Sequence, residues 1–269
     1  MSLIDRQYQN LIARVCRNGD LVTARNAQTR RIFDADPITF SATPLVTIRK
    51  TAWRLAIREM EWFLSGIDRC PDELLPWWQG QLSPSGFYHN GYAQQLRNWD
   101  CRFDQIQYLI DGLKAHPTSR RHILTTWNAS DMAEITETNN NPATPACCHT
   151  TLAQCFVRAG TLYMTSYQRS ADLLLGVPHN WIQSWALLMW LAHQADLQPG
   201  NLRWIFGDLH VYQEDSHLQC AAEILAARPQ ACNPTLVYNA IDKRDFSAAD
   251  FDMVGVIPEP IVTTRPKLL

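Results

Sequence analysis

The segment between residues 152 and 168 constrains the fold most, because it predicts two strands that must pair with each other. Residues 152–158 and 161–168 are both strand-like. Only Ala159-Gly160 separates them, which is the length and composition of a tight hairpin turn. The sequence therefore predicts an antiparallel hairpin, and with it a β-sheet.

Elements of both kinds flank this hairpin. Helical periodicity is clearest over residues 51–64, where apolar side chains share one stripe and Gly66 is a stop signal. We also predict helices over 103–114, 180–195 and 216–227, and strands over 121–127, 202–206 and 235–238. Helices and strands are mixed without strict βαβ alternation, which favours the α+β class. The 269 residues show no repeat or linker, so we expect a single domain, 1–269.

Composition excludes several classes of protein. A net charge of −2 argues against a basic nucleic-acid coat, so we expect no direct nucleic-acid partner. The longest apolar run, residues 185–192, is far shorter than the roughly 18 residues of a membrane span. The first ten residues contain Asp5 and no apolar signal region, so we expect a cytoplasmic protein. The cysteines form no C-x-x-C pair, and we predict no metal site.

The first candidates for chemistry are a thiol and a carboxylate. Cys148 stands beside His149 at the end of a polar loop, which makes it a candidate nucleophile; a structural cysteine is the alternative. Glu59 and Glu61 point about 200° apart on one predicted helix. One of them must face inward, where a carboxylate is costly unless it is paired or used. That residue is a functional candidate.

Two arginine-containing pairs are candidates for anion binding. Arg120-Arg121 lies at a helix-to-strand junction, and Arg169-Ser170 at the end of a strand. Guanidinium groups match phosphate oxygens bidentately, whereas the alternative is simple solvation of the surface.

Two polar groups complete the candidates. Asp172 and Gly176 precede Asn180, which we expect at the N-cap of the helix over 180–195. His210 and Tyr212 follow a strand and share one face by alternation, where they are able to bond a sugar hydroxyl. A structural histidine is the alternative reading of His210.

In this order, the motifs resemble the thymidylate synthase family over residues 25–212. The resemblance implies a mixed β-sheet flanked by helices and a homodimer formed through the sheet face. It also implies transfer of one carbon from 5,10-methylene-tetrahydrofolate to carbon 5 of a pyrimidine nucleotide. The matching segments are Pro-Leu-Val-Thr (44–47), Glu-x-x-Trp-Phe-Leu (59–64), Tyr-Ala-Gln-Gln-Leu-Arg (92–97), Ser-Arg-Arg (119–121), Cys-His (148–149), Tyr-Gln-Arg-Ser-x-Asp (167–172), Leu-Gly-Val-Pro-x-Asn (175–180) and Gly-Asp-x-His-x-Tyr (207–212).

The same resemblance implies a role for each matching residue. Cys148 would add to carbon 6 of uracil, and Glu59 would organise water and proton transfer. Asn180 would read the base of dUMP, since cytosine-specific relatives carry Asp there. The phosphate would be bound by Arg25, Arg169 and Ser170, and the phosphate in the partner subunit's site by Arg120 and Arg121. The sugar would be bound by His210 and Tyr212. The catalytic set would also include Tyr92, His149 and Asp172, and the folate would contact Trp78, Arg49, Asp172 and Gly176.

Departures from the family pattern bear on the last step, in which an exocyclic methylene intermediate is quenched. Hydride from the folate gives thymidylate, and water gives the 5-hydroxymethyl nucleotide. A Glu at position 61, able to hold water, and a tail that lacks the usual apolar ending favour a dUMP hydroxymethylase, which would imply a phage that modifies its DNA. Thymidylate synthase is the alternative; a dCMP hydroxymethylase and a non-catalytic nucleotide-binding relative are weaker ones.

The spacing around the candidate nucleophile is also unusual. Cys148 and Asn180 are 32 positions apart, one more than the resemblance leads us to expect. An extra residue near 150–153 predicts a bulge in the strand, and it leaves Cys147 open as the nucleophile.

Overall fold

The computed structural model describes residues 2–23, 27–78, 80–133 and 147–268. The helices are α1 (Leu3–Asn18), α2 (Trp53–Ser65), α3 (Leu75–Trp78), α4 (Tyr92–Arg97), α5 (Gln105–Ala115), α6 (Gly176–Gln194) and α7 (Asp215–Ala226). The strands are β1 (Asp20–Thr23), β2 (Gln28–Ile32), β3 (Ile38–Phe40), β4 (Ile123–Thr125), β5 (Leu152–Arg158), β6 (Thr161–Asp172), β7 (Gln198–Tyr212), β8 (Thr235–Tyr238) and β9 (Phe251–Val254).

The main sheet has the strand order β1-β2-β7-β6-β5-β4, with β3 also paired to β7. β6 and β7 run parallel, whereas the other pairs in this sheet are antiparallel. The predicted α+β class and mixed sheet flanked by helices are confirmed. β8 and β9 form a separate two-stranded sheet. Within the described residues, no helix is long and apolar enough to cross a membrane.

The predicted hairpin is present as β5 and β6. Ala159 and Gly160 have φ angles of 48° and 73°. Positive φ at both positions is what a two-residue turn needs in order to match the twist of its strands. β5 pairs with β6 without interruption from Leu152 to Arg158, so the predicted bulge is wrong. Thr150 instead takes a φ of 47°, in the left-handed region, just before the strand. The turn changes the direction of the chain there and leaves the register of β5 intact.

β6 and β7 extend beyond the predicted strands because they pair with each other. Ser170 lies opposite Asp208, and Asp172 lies opposite His210. The His210 motif therefore lies inside a strand and not after it. Residues distant in sequence supply these backbone hydrogen bonds, so local propensity gave no sign of them.

α6 is the central helix of the core and packs against α2 and the inner face of β6 and β7. It begins at Gly176, four residues earlier than predicted, so Asn180 lies in its second turn and the N-cap prediction is wrong. The Asp172 carboxylate accepts from the N–H groups of Leu174 and Leu175 and forms the turn that leads into the helix. Pro178 is tolerated because the first helical turn needs no N–H donor there.

Candidate active site

Tyr92 of α4 holds the segment that carries the candidate nucleophile. Its hydroxyl oxygen accepts from the backbone N–H of Cys148 (2.8 Å) and of His149 (3.2 Å). The same oxygen lies 3.5 Å from the Cys148 sulfur. Because it accepts two N–H groups, its own hydrogen remains to donate to the sulfur. Burial raises the pKa of Tyr92 well above its usual value, so the phenol keeps that hydrogen.

Arg169 of β6 lies on the other side of this segment. Its backbone N–H donates to the Cys148 carbonyl (3.0 Å), and its side-chain Nε donates to the Cys147 carbonyl (3.0 Å). The guanidinium also stacks on the ring of Trp127, 4.9 Å from the ring centroid. Arg169 therefore holds the backbone of both cysteines against β6.

The two adjacent cysteines differ in access. Cys148 is half-buried, whereas Cys147 is 2% exposed. Burial, together with the neighbouring Cys148, raises the pKa of the Cys147 thiol. Cys147 is therefore the poorer nucleophile, and the geometry favours Cys148.

Glu59 is the inward-facing carboxylate of α2. It accepts hydrogen bonds from the indole N–H of Trp78 and from the amide of Gln183. Burial raises its pKa to about 7, although both donors oppose that rise. Glu61 lies on the other side of the helix, paired with Arg58 at 2.8 Å. The expectation that Glu61 holds water in the site is wrong, because the helix turns it away.

Asn180 lies between two glutamines. The Gln168 amide donates to the Asn180 oxygen (2.9 Å), and the Asn180 nitrogen donates to the Gln183 oxygen (3.1 Å). Sequence reasoning assigned neither glutamine a role. The signals were the position of Gln183 one helical turn after Asn180 and that of Gln168 beside Arg169.

His149 is buried among the aromatic side chains of the site. Its ring lies 4.8 Å from that of Tyr92 and 5.6 Å from that of Phe63. Its Nδ1 is 3.1 Å from the Thr150 hydroxyl. Burial lowers its pKa to about 3, so the imidazole is neutral at physiological pH.

His210 and Tyr212 are adjacent on β7, as predicted, with rings 5.3 Å apart. His210 Nδ1 lies 2.8 Å from an oxygen of Asp208, whose other oxygen accepts from Arg31 (2.9 Å). Burial acts to raise the pKa of Asp208, but these partners prevail and lower it. An ionised Asp208 fixes the hydrogen of His210 on Nδ1 and leaves Nε2 as an acceptor. Asp208 lies in the segment 207–212 that matched the family, two residues earlier on the same strand face, but sequence reasoning assigned it no role.

Arg49 and Asp172 meet at the turn before α6. Arg49 donates to the Leu174 carbonyl, and Asp172 accepts from the next backbone N–H groups of the turn. Gly176 follows, where a Cβ atom would lie 3.2 Å from the Asn180 oxygen. Three of the candidate folate residues, Arg49, Asp172 and Gly176, are thus adjacent. The fourth, Trp78, instead donates to Glu59.

Asp5 of α1 supports this corner from inside the protein. Its buried carboxylate accepts from the backbone N–H of Thr47 (2.7 Å), the Thr47 hydroxyl (2.6 Å) and the backbone N–H of Ile48 (3.0 Å). It therefore fixes the segment that carries Arg49.

Of the remaining predicted residues, two lie apart from this cluster, one lies beside Arg169, and one lies beyond the described residues. Arg120 and Arg121 are exposed at the start of β4, the last strand of the sheet. Ser170 follows Arg169 on β6. Arg25 lies outside the described residues.

Comparisons with known proteins match nearly the whole chain. The family model described as thymidylate synthase matches residues 6–266. A thymidylate synthase of Corynebacterium aurimucosum is 31% identical over 275 residues, an alignment that covers 98% of each chain.

Proposed function

The chain belongs to the thymidylate synthase family, and from that premise we propose that it transfers one carbon to carbon 5 of dUMP through a thiolate adduct of Cys148. Members of this family are one-carbon transferases that bind dUMP and use 5,10-methylene-tetrahydrofolate as co-substrate. The observation that carries the proposal is the contact of the Cys148 sulfur with the Tyr92 hydroxyl, in a segment whose backbone Arg169 holds.

Carbon 5 of uracil is a weak nucleophile, and addition of the Cys148 thiolate to carbon 6 activates it as an enolate. Tyr92 is placed to donate to the Cys148 sulfur, and Arg169 holds the backbone carbonyls of both cysteines. Glu59 takes part in proton transfer, and a pKa of about 7 suits that work at neutral pH. His149 stays neutral beside them.

The nucleotide is bound at three points. Arg169, with Ser170 and Arg25, takes the phosphate as a guanidinium fork. Asn180 reads the base. His210 and Tyr212 take the 3′-hydroxyl, and the free Nε2 of His210 is the acceptor that a hydroxyl donor needs.

The folate position is supported by the donor set near the turn before α6. Arg49, which is 8% exposed and donates to the Leu174 carbonyl, is the cation assigned to an anionic tail. Asp172 supplies a carboxylate whose Oδ1 is engaged by the backbone. Gly176 lacks a Cβ beside Asn180, and Trp78 is a buried aromatic side chain that donates to Glu59. When bound, the co-substrate supplies the one-carbon unit.

A second copy of the chain completes the site in this proposal. The outer face of β5 and β6 exposes Leu152, Phe156 and Tyr167, an unusual apolar surface for a sheet face. Burial of this face in a homodimer would bring Arg120 and Arg121 of one subunit to the phosphate of its partner. Both arginines are exposed and so remain able to reach it.

For the last step we propose a quench by water, which makes the protein a dUMP hydroxymethylase. The support is the C-terminal tail, which passes Arg49 and then follows α7, where Lys267 bonds to Ser216 and His217. In the synthases of this family the C-terminus closes the site as a dry lid, whereas a tail held on α7 leaves the intermediate open to water.

Thymidylate synthase is the second candidate, with hydride from the folate in place of water. Two observations favour it. Glu61 faces Arg58 and the backbone N–H of Ala248, not the site. The Corynebacterium relative carries the name thymidylate synthase.

A product assay separates the two. The protein is incubated with dUMP and methylene-tetrahydrofolate, both products are identified by mass spectrometry, and absorbance at 340 nm reports dihydrofolate. A nucleotide heavier by one CH₂O unit with flat absorbance is the expected result. Thymidylate with rising absorbance would refute the water quench, and Cys148→Ala should abolish either product.

A further inference from the structure

Gln183 joins the catalytic carboxylate to the residue that reads the base. Its side chain is fully buried in α6. Its amide nitrogen donates to Glu59, and its amide oxygen accepts from the Asn180 nitrogen (3.1 Å). No other residue of the described chain is seen to bridge these two.

The direction of these hydrogen bonds is dictated by chemistry. Above its pKa of about 7, Glu59 is ionised and only accepts, so Gln183 must turn its NH₂ group toward it. The Gln183 oxygen then faces Asn180, so Asn180 must donate to it through its own NH₂ group. The orientation of Asn180 therefore follows from that of Gln183.

A second residue holds Asn180 in the same orientation from the other side. The Gln168 NH₂ group donates to the Ser170 carbonyl (3.2 Å) and to the Asn180 oxygen (2.9 Å). The Asn180 oxygen thus has one lone pair left, and its nitrogen has one hydrogen left. These two sites are available to a ligand.

The remaining sites match uracil and not cytosine. Uracil presents an N3–H donor beside an O4 acceptor, which pair with the free Asn180 oxygen and the free N–H. Cytosine presents an N3 acceptor beside an NH₂ donor, and would need the Asn180 amide reversed. Reversal would set two NH₂ groups face to face at Gln168 and two oxygens face to face at Gln183.

We propose that Gln183 is a positioning residue that fixes the amide orientation of Asn180 and so selects dUMP over dCMP. The proposal rests on the proposed function, in which Asn180 reads the base. Gln183 acts through Asn180 and does not itself need to touch the nucleotide.

The test compares Gln183→Met with wild type in equilibrium titrations of dUMP and dCMP. Methionine keeps the length of the side chain but neither donates to Glu59 nor accepts strongly from Asn180. We expect the ratio of the dCMP to the dUMP dissociation constant to fall about tenfold or more, which corresponds to about 1.4 kcal/mol. Gln194→Met is the matched control, because Gln194 is a buried glutamine of the same helix that donates to the distant Arg244 carbonyl. It should keep the wild-type ratio.

Gln183→Glu keeps the test decisive if the methionine variant fails to fold, which circular dichroism would report. While the introduced carboxyl group holds a proton, its O–H donates to Glu59 and its carbonyl accepts from Asn180, so the polarity is retained. We expect the dUMP selectivity of this variant to fall from pH 6 to pH 9, as the proton shared by the two carboxyl groups is lost. Wild type at the same pH values is the reference, because the uracil N3–H also begins to ionise in alkaline solution. Cys70 and Tyr88 also lie near Glu59, but burial raises the pKa of both, and neither is expected to change charge between pH 6 and pH 9.

The outcomes separate this proposal from the proposed function. Wild type that binds neither nucleotide would refute the proposed function. Wild type that prefers dUMP, with the same preference in folded Gln183→Met or in Gln183→Glu at both pH values, would refute only the role of Gln183.

Discussion

Ionisation of Glu59 should make the protein less stable as the pH rises from 5 to 8. Burial raises the pKa of this carboxyl from 4.5 to about 7, although Trp78 and Gln183 donate to it. The unfolded chain has an ordinary pKa, so between these two values the folded state holds a proton that the unfolded state releases. The stabilisation is present below pH 4.5 and is lost as the pH rises through about 7.

The two pKa values set the magnitude. The full loss is about 3 kcal/mol, of which about 2.5 kcal/mol falls between pH 5 and pH 8. Glu59→Gln removes the ionisation. Its single amide oxygen cannot serve both donors, but that cost does not vary with pH. Both proteins should therefore be unfolded in urea at several pH values. Between pH 5 and pH 8, the free energy of unfolding of wild type should fall by about 2.5 kcal/mol relative to that of Glu59→Gln.

Glu61→Gln is the control, because Glu61 lies on the same helix but is partly exposed and paired with Arg58. Its stability profile should run parallel to that of wild type. Parallel profiles for Glu59→Gln and wild type would refute the reasoning, since they would mean that the two donors offset the whole cost of burying the charge.

Three further predictions address other parts of the site. Cys148→Ala should bind dUMP yet release no tritium from carbon 5, whereas Cys147→Ser should release it; the reverse pattern in a tritium-release assay would move the nucleophile to Cys147. Asp208→Asn should weaken dUMP binding about tenfold in a titration, because His210 loses the charge-assisted hydrogen bond that sets its tautomer; unchanged affinity would remove His210 from the sugar site. Asp5→Asn should lower the free energy of unfolding by about 1–3 kcal/mol, since buried donors lose an acceptor. It should also raise the KM for the folate more than the KM for dUMP. Equal changes in the two KM values would show that Asp5 does not act through Arg49.

Local patterns were sufficient for many of the elements. Strands β5 and β8 have the predicted bounds, and α2 ends before Gly66, which has a φ of 74°. Turn chemistry and apolar periodicity are carried by neighbouring residues, so one sequence can show them. The inward position of either Glu59 or Glu61 also followed from helix geometry alone.

The sequence by itself determined the class of fold, the order of the motifs and the residue types available for chemistry, because each depends on residues close together in the chain. Only the tertiary structure decided which of them work together. The parallel pairing of β6 with β7 extended both strands and put His210 inside one of them. Glu59 and Gln183 are 124 positions apart yet bond directly. Burial of Cys147 and only partial burial of Cys148 separated the two cysteines. These features depend on packing between distant segments, which no local pattern records.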